Sequence, residues 1–327
     1  MKALTHAQLH DFLNSLKEEY DVRVPILLQD GTRTLGRLDE GEMQIHGGKI
    51  SIKPTNVFFP QHEVFLRVTE GDDIQMAQAP EKPLLVLGMV AADLDCLEFI
   101  DQFFAEKYRD DIYFNKRDGA VLIGVSGKCG ENGEFLKIAG TKCDAELISD
   151  GSKFIFAPYS ENGKTLNERI SSFDEAGDIN ELKKQSEELP ADDEVMLNEA
   201  SNLLQKGVVT DDFWTEIAER CIACTSCNLA CPTCTCFDVY DRVYGGEVRR
   251  CRIWDSCQLD GFMREASGHN PMAKESVRTR RRIHHKLVAD RTRWGHITCY
   301  LCGRCDDVCP TNIGIKSISR KIVNRFG

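Results

Sequence analysis

The sequence predicts an α+β protein in which a mixed α/β domain is followed by a mainly helical, cysteine-rich domain. Strand-like and helical runs alternate over the first half of the 327 residues, a length sufficient for two domains. Twelve of the 15 cysteines fall in residues 207–327, which carry a net charge of +5, whereas the preceding 206 residues carry −16. We therefore expect a scaffold or interface domain at 1–165, an acidic connector at 166–206 and a cysteine-rich domain at 207–327.

Apolar periodicity predicts the elements of the N-terminal domain. Thr5 is a suitable N-cap for a first helix, and a second helix is expected at 93–106. The apolar stripe of the first helix comprises Leu9, Phe12, Leu13 and Leu16. Extended runs predict strands at 25–28, 49–52, 64–68, 84–90, 120–125, 135–138 and 153–156.

The glycine-rich run at 124–130 resembles a phosphate-binding loop but lacks two of its residues. The pattern G-x-x-x-x-G-K-[ST] needs Gly at 122 and a hydroxyl at 129, where the chain has Leu122 and Cys129. We therefore expect no nucleotide site here. Cys96, Cys129 and Cys143 are too scattered to form a motif, and we interpret them as buried free thiols.

The strongest signal is a cysteine motif that occurs twice with identical spacing. Both copies read C-x2-C-x2-C-x3-C-P, the spacing with which bacterial ferredoxins hold [4Fe–4S] clusters. The first three thiolates can surround one cluster in a tight turn, and in two-cluster ferredoxins the fourth binds the other cluster. The eight predicted ligands are Cys221, Cys224, Cys227, Cys231, Cys299, Cys302, Cys305 and Cys309.

Zinc and disulfide bonds are the alternatives for these cysteines. A zinc site needs two C-x2-C pairs, but it needs neither a third cysteine at the same interval nor a fourth followed by proline. The N-terminus lacks the apolar region of a secretion signal, and no stretch reaches the roughly 18 apolar residues of a membrane helix. We therefore expect a cytoplasmic protein without a membrane span, whose thiols stay reduced and available to metal.

The 67 residues between Cys231 and Cys299 are predicted to be mostly helical. Helices are expected at 238–243, 258–267 and 273–292, with others at 214–220 and 314–323, which favours a helical two-cluster ferredoxin-type domain over a small β-containing one. Four further cysteines lie in this segment: Cys234, Cys236, Cys251 and Cys257. We interpret them as packing near the clusters, with a third cluster or a lone metal ion as the alternative and Cys257 as the strongest candidate for an extra ligand.

A basic block lies between the two motifs. Cations close to an anionic cluster stabilise its charge and raise its reduction potential, and this is the use we favour. Docking of an acidic partner and a solvated helix face are the alternatives, whereas the net charge of −11 argues against binding to a nucleic-acid backbone. The block comprises Arg278, Arg280, Arg281, Arg282, His284, His285, Lys286, Arg291 and Arg293.

Taken together, these residues resemble the dicluster iron–sulfur subunit of anaerobic sulfite reductase and, equally, the β subunit of soluble sulfhydrogenases. The resemblance is close over about 110 residues. It includes both motifs, the segments at 252–257 and 268–270 and the pair at 285–286, and it is looser at 53–60 and 111–113. It implies that the eight motif cysteines are ligands and that Cys234, Cys236 and Cys257 belong to a shared pattern.

The resemblance implies an iron–sulfur protein that relays electrons from a flavin- and NAD(P)-binding subunit to a catalytic subunit such as sulfite reductase or hydrogenase. We expect two [4Fe–4S] clusters, a cytoplasmic hetero-oligomer of anaerobic metabolism and no catalytic residue on this chain. By ferredoxin precedent, Cys309 would complete the cluster of the first motif and Cys231 that of the second. The alternatives are a self-contained iron–sulfur reductase with a third metal site at the extra cysteines, and an iron–sulfur sensor that binds nucleic acid.

Overall fold

The computed structural model describes residues 1–69 and 73–327. Up to residue 187 its elements are, in chain order, β1 (Lys2–Leu4), α1 (His6–Ser15), β2 (Asp21–Leu27), β3 (Arg33–Gly36), β4 (Glu42–Met43), β5 (His62–Val68), β6 (Ile74–Met76), β7 (Leu84–Met89), α2 (Ala91–Ala105), α3 (Asp111–Arg117), β8 (Val121–Lys128), β9 (Phe135–Leu136), β10 (Ala145–Ser149), β11 (Phe154–Pro158), α4 (Glu161–Arg169), β12 (Asp174–Glu175) and α5 (Ile179–Glu187).

The remaining elements include both cysteine motifs. They are α6 (Asp192–Gln205), α7 (Asp211–Ala218), α8 (Ser226–Leu229), β13 (Phe237–Tyr244), β14 (Glu247–Trp254), α9 (Glu275–His284), α10 (Asp290–Trp294), α11 (Arg304–Asp307) and α12 (Ile315–Phe326). A single π-helical turn, His285–Ala289, joins α9 to α10. Helices and strands thus occur in both halves, and this mixed content is consistent with the predicted α+β class.

Packing divides the chain into two compact units. The first comprises residues 1–59 and 78–189, and the second comprises 60–77 and 190–327. The β5–β6 hairpin is therefore part of the unit that carries the cysteine motifs, although it lies far away in sequence. We expected three segments from composition, at 1–165, 166–206 and 207–327. That these segments fold independently stays a prediction.

The first unit is built on a mixed sheet. In the described residues its strand order is β12-β1-β11-β10-β8-β7-β2-β3, with β4 beside β2 and β9 beside β8. The central pairs β2/β7, β7/β8 and β8/β10 are parallel. Strands β7, β8 and β10 are buried almost throughout, as expected of parallel strands covered on both faces.

Helix α1 begins as the sequence predicts. The Thr5 hydroxyl accepts a hydrogen bond from the Gln8 backbone N–H, and the Gln8 side-chain oxygen accepts one from the Thr5 N–H. This capping box satisfies two backbone donors that have no partner inside the helix. Leu9, Phe12 and Leu13 then pack into the core of the sheet. The predicted cap and apolar stripe of this helix are confirmed.

The second unit has a helical core around the two motifs. Helices α6, α7, α9 and α12 contribute Leu204, Trp214, Ile283 and Ile318, all of them buried. The motif residues Cys221, Cys227, Cys299, Cys305 and Cys309 adjoin the same cluster. The apolar core thus fixes the helix ends that lead into and out of the motifs.

The helix expected at 238–243 is wrong, because β13 and β14 form a hairpin there. Their register pairs Tyr244 with Glu247 across Gly245 and Gly246, which have φ of 59° and 81°. Two successive residues with positive φ match the turn that suits the right-handed twist of a hairpin, and glycine adopts it without a steric penalty. Together with β5 and β6 the hairpin forms a four-stranded antiparallel sheet in the order β13-β14-β5-β6. The second unit is therefore less purely helical than predicted.

Other expected elements divide between confirmation and correction. Six of the expected strands are present with shifted ends, namely those at 25–28, 64–68, 84–90, 120–125, 135–138 and 153–156. Four of the expected helices are also present with shifted ends, namely those at 93–106, 214–220, 273–292 and 314–323. No strand occurs at 49–52, and 258–267 contains only a short 3-10 turn at Asp260–Met263. Within residues 1–69 and 73–327, no helix combines the length and apolar character needed to span a bilayer.

Candidate metal centres

The two motifs adopt the same backbone path. In the first, Ala223 and Thr225 have φ of 52° and 63°; in the second, the equivalent Leu301 and Gly303 have φ of 54° and 76°. Left-handed backbone is uncommon for residues other than glycine, so its recurrence at matching positions marks a functional loop. Chains that alternate between right- and left-handed residues form N–H-lined concavities that bind anions, including iron–sulfur clusters. Each loop then enters a four-residue helix, α8 or α11.

The first loop shares its cavity with a cysteine of the second motif. Cys221, Cys224 and Cys227 line this cavity, and Cys309 is the fourth thiol in its wall. Burial raises the pKa of Cys227 and Arg282 opposes that effect, while Cys221, Cys309 and Cys224 raise it further by charge repulsion. We name this set of four thiols site A.

The second loop recruits its fourth thiol in the reciprocal way. Burial raises the pKa of Cys299, and charge repulsion from Cys305, Cys231 and Cys302 adds to that effect. Burial likewise raises the pKa of Cys305 to about 12, with Cys231 again among its neighbours. These four cysteines, with Cys231 supplied by the first motif, form site B. All eight predicted ligands therefore fall into two groups of four, each drawn from both motifs.

The fourth cysteines are held by a repeated Cys-Pro-Thr sequence. The Thr233 Oγ1 lies 3.4 Å from Cys231 Sγ, and the Thr311 Oγ1 lies 3.5 Å from Cys309 Sγ. Cys309 Sγ also accepts the backbone N–H of Ile313 at 3.4 Å. Hydrogen bonds to sulfur favour the thiolate, and they tune the potential of a cluster that the thiolate binds. Sequence reasoning missed both threonines, although the repeat was visible.

The basic block presents two different faces of α9 and the π turn. Arg278, Arg282 and Lys286 follow one another at intervals of one helical turn and are all buried. Arg280 and Arg281 point to solvent, and Arg280 pairs with Asp211 at 2.9 Å. The predicted stabilisation of cluster charge can therefore involve only the buried residues Arg278, Arg282 and Lys286. Arg280 and Arg281 fit the alternative interpretation of a solvated helix face.

Two of the buried cations adjoin the sulfur sites. The Arg282 Nε donates to Asn228 Oδ1 at 3.0 Å, and the Lys286 Nζ donates to Thr233 Oγ1 at 2.6 Å. Burial alone would lower the pKa of Lys286, but Cys231, Cys234, Asp290 and Cys299 raise it well above its usual value. Lys286 thus keeps its charge in the interior beside site B.

Three of the four extra cysteines lie around the motifs. Cys234 shares a hydrogen bond with Cys231, and Cys257 Sγ accepts one from Asn228 Nδ2 at 3.2 Å. Burial raises the pKa of Cys236 to about 11, and Cys257 adds to that effect. Cys251 is instead buried in the hairpin, opposite Tyr240 and Val64. Within the described ranges, no three His, Cys, Asp or Glu side chains are grouped to share a single metal ion.

The three remaining cysteines belong to the first compact unit. Cys96, Cys129 and Cys143 are all buried. Burial, followed by repulsion from Glu146, raises the pKa of both Cys129 and Cys143 to about 12. Neutral buried thiols of this kind agree with the interpretation drawn from the sequence.

Sites A and B fit iron–sulfur chemistry by their donors and by their surroundings. Four thiols border the site A cavity, and a backbone N–H points at a sulfur of each site, from Ile313 to Cys309 in site A and from Ile315 to Cys305 in site B. The Arg282 Nη2 is buried without a hydrogen-bond partner among residues 1–69 and 73–327. A buried guanidinium nitrogen without a partner is costly unless an anion accepts from it. An anionic cluster would supply such an acceptor.

Comparison with known proteins agrees with this geometry. Residues 220–313 match the 4Fe-4S dicluster domain, and this range contains all eight motif cysteines. Sulfhydrogenase 2 subunit beta of Pyrococcus furiosus is 24% identical over 315 residues, covering 93% of this chain and 92% of the relative. The resemblance to the sulfhydrogenase β subunit is confirmed. This sulfhydrogenase β-like chain is an iron–sulfur protein, and the matched domain lies within its second unit. No solved structure matches the chain.

Proposed function

We propose that this chain relays electrons through two [4Fe–4S] clusters in a cytoplasmic oxidoreductase complex of anaerobic metabolism. Electrons would arrive from a flavoprotein subunit that uses NAD(P)H or ferredoxin and leave to a catalytic subunit such as sulfite reductase or hydrogenase. One observation carries the proposal: each sulfur site combines three cysteines of one motif with the fourth of the other. This arrangement is the one known from two-cluster ferredoxins.

The side chains have distinct roles in this proposal. Bound clusters would accept and release single electrons. The eight cysteines hold them, the Thr233 and Thr311 hydroxyls contact the sulfurs of Cys231 and Cys309, and Arg282 and Lys286 offset negative charge in the interior. The proposal assigns no catalytic residue to this chain.

Site A is the better candidate for the site that exchanges electrons with a partner protein. Its Cys224 is exposed, and the neighbouring Ile222 is 64% exposed. Site B is more enclosed, with Cys231 and Cys305 buried. Electron transfer between proteins needs a cluster close to the surface that the partner contacts. An exposed apolar residue beside a ligand suits a short-range contact of this kind.

The relative supports a hetero-oligomeric setting. Its name describes a β subunit of a sulfhydrogenase, and the alignment extends over nearly the whole of both chains. We therefore propose that this chain also works within a complex, with separate subunits for the electron donor and for catalysis.

Metal analysis of the anaerobically purified chain tests the proposal. We expect about eight iron and eight acid-labile sulfide per chain, with an EPR signal of two interacting clusters after reduction by dithionite. About twelve iron would indicate a third cluster at Cys234, Cys236 and Cys257, the arrangement of a self-contained reductase. Zinc without sulfide would refute the electron-transfer function.

A further inference from the structure

Arg282 is a buried cation beside the sulfur ligands of site A. Its side chain is 4% exposed and forms part of the wall of the site A cavity. Its Nε donates to Asn228 Oδ1 at 3.0 Å, and Asn228 directly follows the ligand Cys227. Its Nη2 is buried and makes no hydrogen bond within the part of the chain that the structure describes. One end of the guanidinium is thus fixed, while another nitrogen has no acceptor.

The thiols around Arg282 come from both sites. Burial alone would lower its pKa, but Cys227 of site A and Cys305 and Cys231 of site B raise it far above the usual value, with Cys234 contributing as well. Lys286, one turn further along, has its sulfur neighbours in site B and in Cys234. Arg278, one turn earlier, donates to the carbonyls of Met272 and Ala273.

We propose that Arg282 is a cation shared by the two metal centres, which raises the reduction potentials of both. The inference rests on the proposed function and deepens it, because it names a side chain that sets the reduction potentials of the two centres. The geometric observation behind it is that Arg282 is buried in the wall of the site A cavity with one nitrogen left without an acceptor, and charge interactions with Cys305 and Cys231 extend its influence to site B.

The physical reason is the charge that the electron brings. Reduction by one electron makes a site one charge more negative, and a fixed cation in the poorly solvated interior stabilises that state. A cation that acts on both sites favours the electron on either one, so its removal should shift both potentials in the same direction. Arginine suits this role because its guanidinium stays protonated even when buried.

Anaerobic redox titration monitored by EPR tests the inference. Arg282→Gln removes the charge, and we expect both potentials to become more negative. Arg282→Lys keeps a charge and should restore most of the loss. Lys286→Gln should shift mainly one of the two potentials, since its motif neighbours Cys231 and Cys299 lie in site B. Arg278→Gln is the matched control, because Arg278 is 6% exposed on the same helix face, and it should leave both potentials unchanged.

A second variant covers the case in which Arg282→Gln does not retain iron. Asn228→Asp places a carboxylate beside the guanidinium and offsets its charge without opening a cavity, so both potentials should again fall. The inference is overturned if variants with full iron and sulfide keep both wild-type potentials, or if Arg282→Lys shifts them as far as Arg282→Gln. Absence of iron and sulfide from the wild-type chain would instead refute the proposed function, which separates the two failures.

Discussion

At the scale of single residues, the main feature is that each motif supplies its fourth cysteine to the site of the other motif. Cys309 is distant in sequence from Cys221 but lies in the same cavity wall. Cys231 is correspondingly a neighbour of Cys299 and Cys305. A change at one motif should therefore damage the metal site of the other.

Paired substitutions test this exchange with equal numbers of cysteines removed. Cys221→Ala with Cys309→Ala alters site A alone, so we expect about half of the iron, roughly four per chain, to remain. Cys299→Ala with Cys309→Ala alters both sites, so most of the iron should be lost. Iron and sulfide analysis distinguishes them. If the second pair retained half of the iron and the first retained little, the exchange would be rejected.

Thr233 is a second residue whose importance comes from tertiary contacts. Its hydroxyl donates to the Thr298 carbonyl at 2.9 Å and accepts from the Lys286 ammonium at 2.6 Å. Its counterpart Thr311 makes a similar contact to sulfur at the end of the second motif. The Thr233 hydroxyl thus joins a buried cation to a distant carbonyl in addition to its contact with sulfur.

Substitution of these two threonines should therefore have unequal effects. Thr233→Val takes a partner from a buried ammonium and a carbonyl, and we expect it to lower the free energy of unfolding by about 1–3 kcal/mol. Thr311→Val should cost clearly less. Anaerobic urea unfolding followed by circular dichroism measures both. Equal losses would show that the Thr233 network contributes little.

At the scale of elements, the β13–β14 hairpin is joined to β5 by a buried ion pair. The Arg252 Nε donates to Glu63 Oε1 at 2.9 Å, and the Arg252 side chain is only 2% exposed. Within the hairpin, Arg250 and Asp241 form a similar pair at 2.7 Å, but both side chains are largely open to solvent. The two pairs thus differ mainly in burial.

Removal of the acidic partner should reveal that difference. Glu63→Ala takes the carboxylate from a buried guanidinium, and we expect a loss of about 3–5 kcal/mol in unfolding free energy. Asp241→Ala is the matched control and should change stability little, because water and salt screen an exposed pair. Denaturant titration compares them. A Glu63→Ala variant as stable as the control would mean that β5 does not depend on this contact.

At the scale of the whole molecule, the two units should respond differently to loss of metal. The eight motif cysteines all lie in the second unit, residues 60–77 and 190–327. The first unit has its own sheet and apolar core. Since thiolate sites gain much of their order from the metal they bind, metal removal should loosen the second unit selectively.

Hydrogen exchange of the chain with and without clusters measures this directly. After chelation of iron under anaerobic conditions, we expect faster exchange in the segments around α8 and α11, with strands β7, β8 and β10 unchanged. Equal acceleration in both units would contradict independent cores.

Most strands and helices could be predicted from local sequence, because their apolar periodicity and caps are local properties. The hairpin could also have been predicted: Gly245-Gly246 lies between runs rich in valine, tyrosine and charged residues, and this is a recognised hairpin signal. The strand expected at 49–52 failed because a short apolar run does not specify a pairing partner.

The sequence by itself predicted the iron–sulfur chemistry, since eight cysteines at this spacing, with a proline after each fourth one, are typical of [4Fe–4S] ligands. The tertiary structure brings together the two groups of four thiols that ferredoxin precedent predicts, and it alone decided which members of the basic block are buried beside them. It also decided that β5 and β6 join the cysteine-bearing unit. The reason is physical: ligand spacing acts over a few residues of backbone, whereas pairing of sites, burial of cations and addition of strands depend on contacts between segments far apart in the chain.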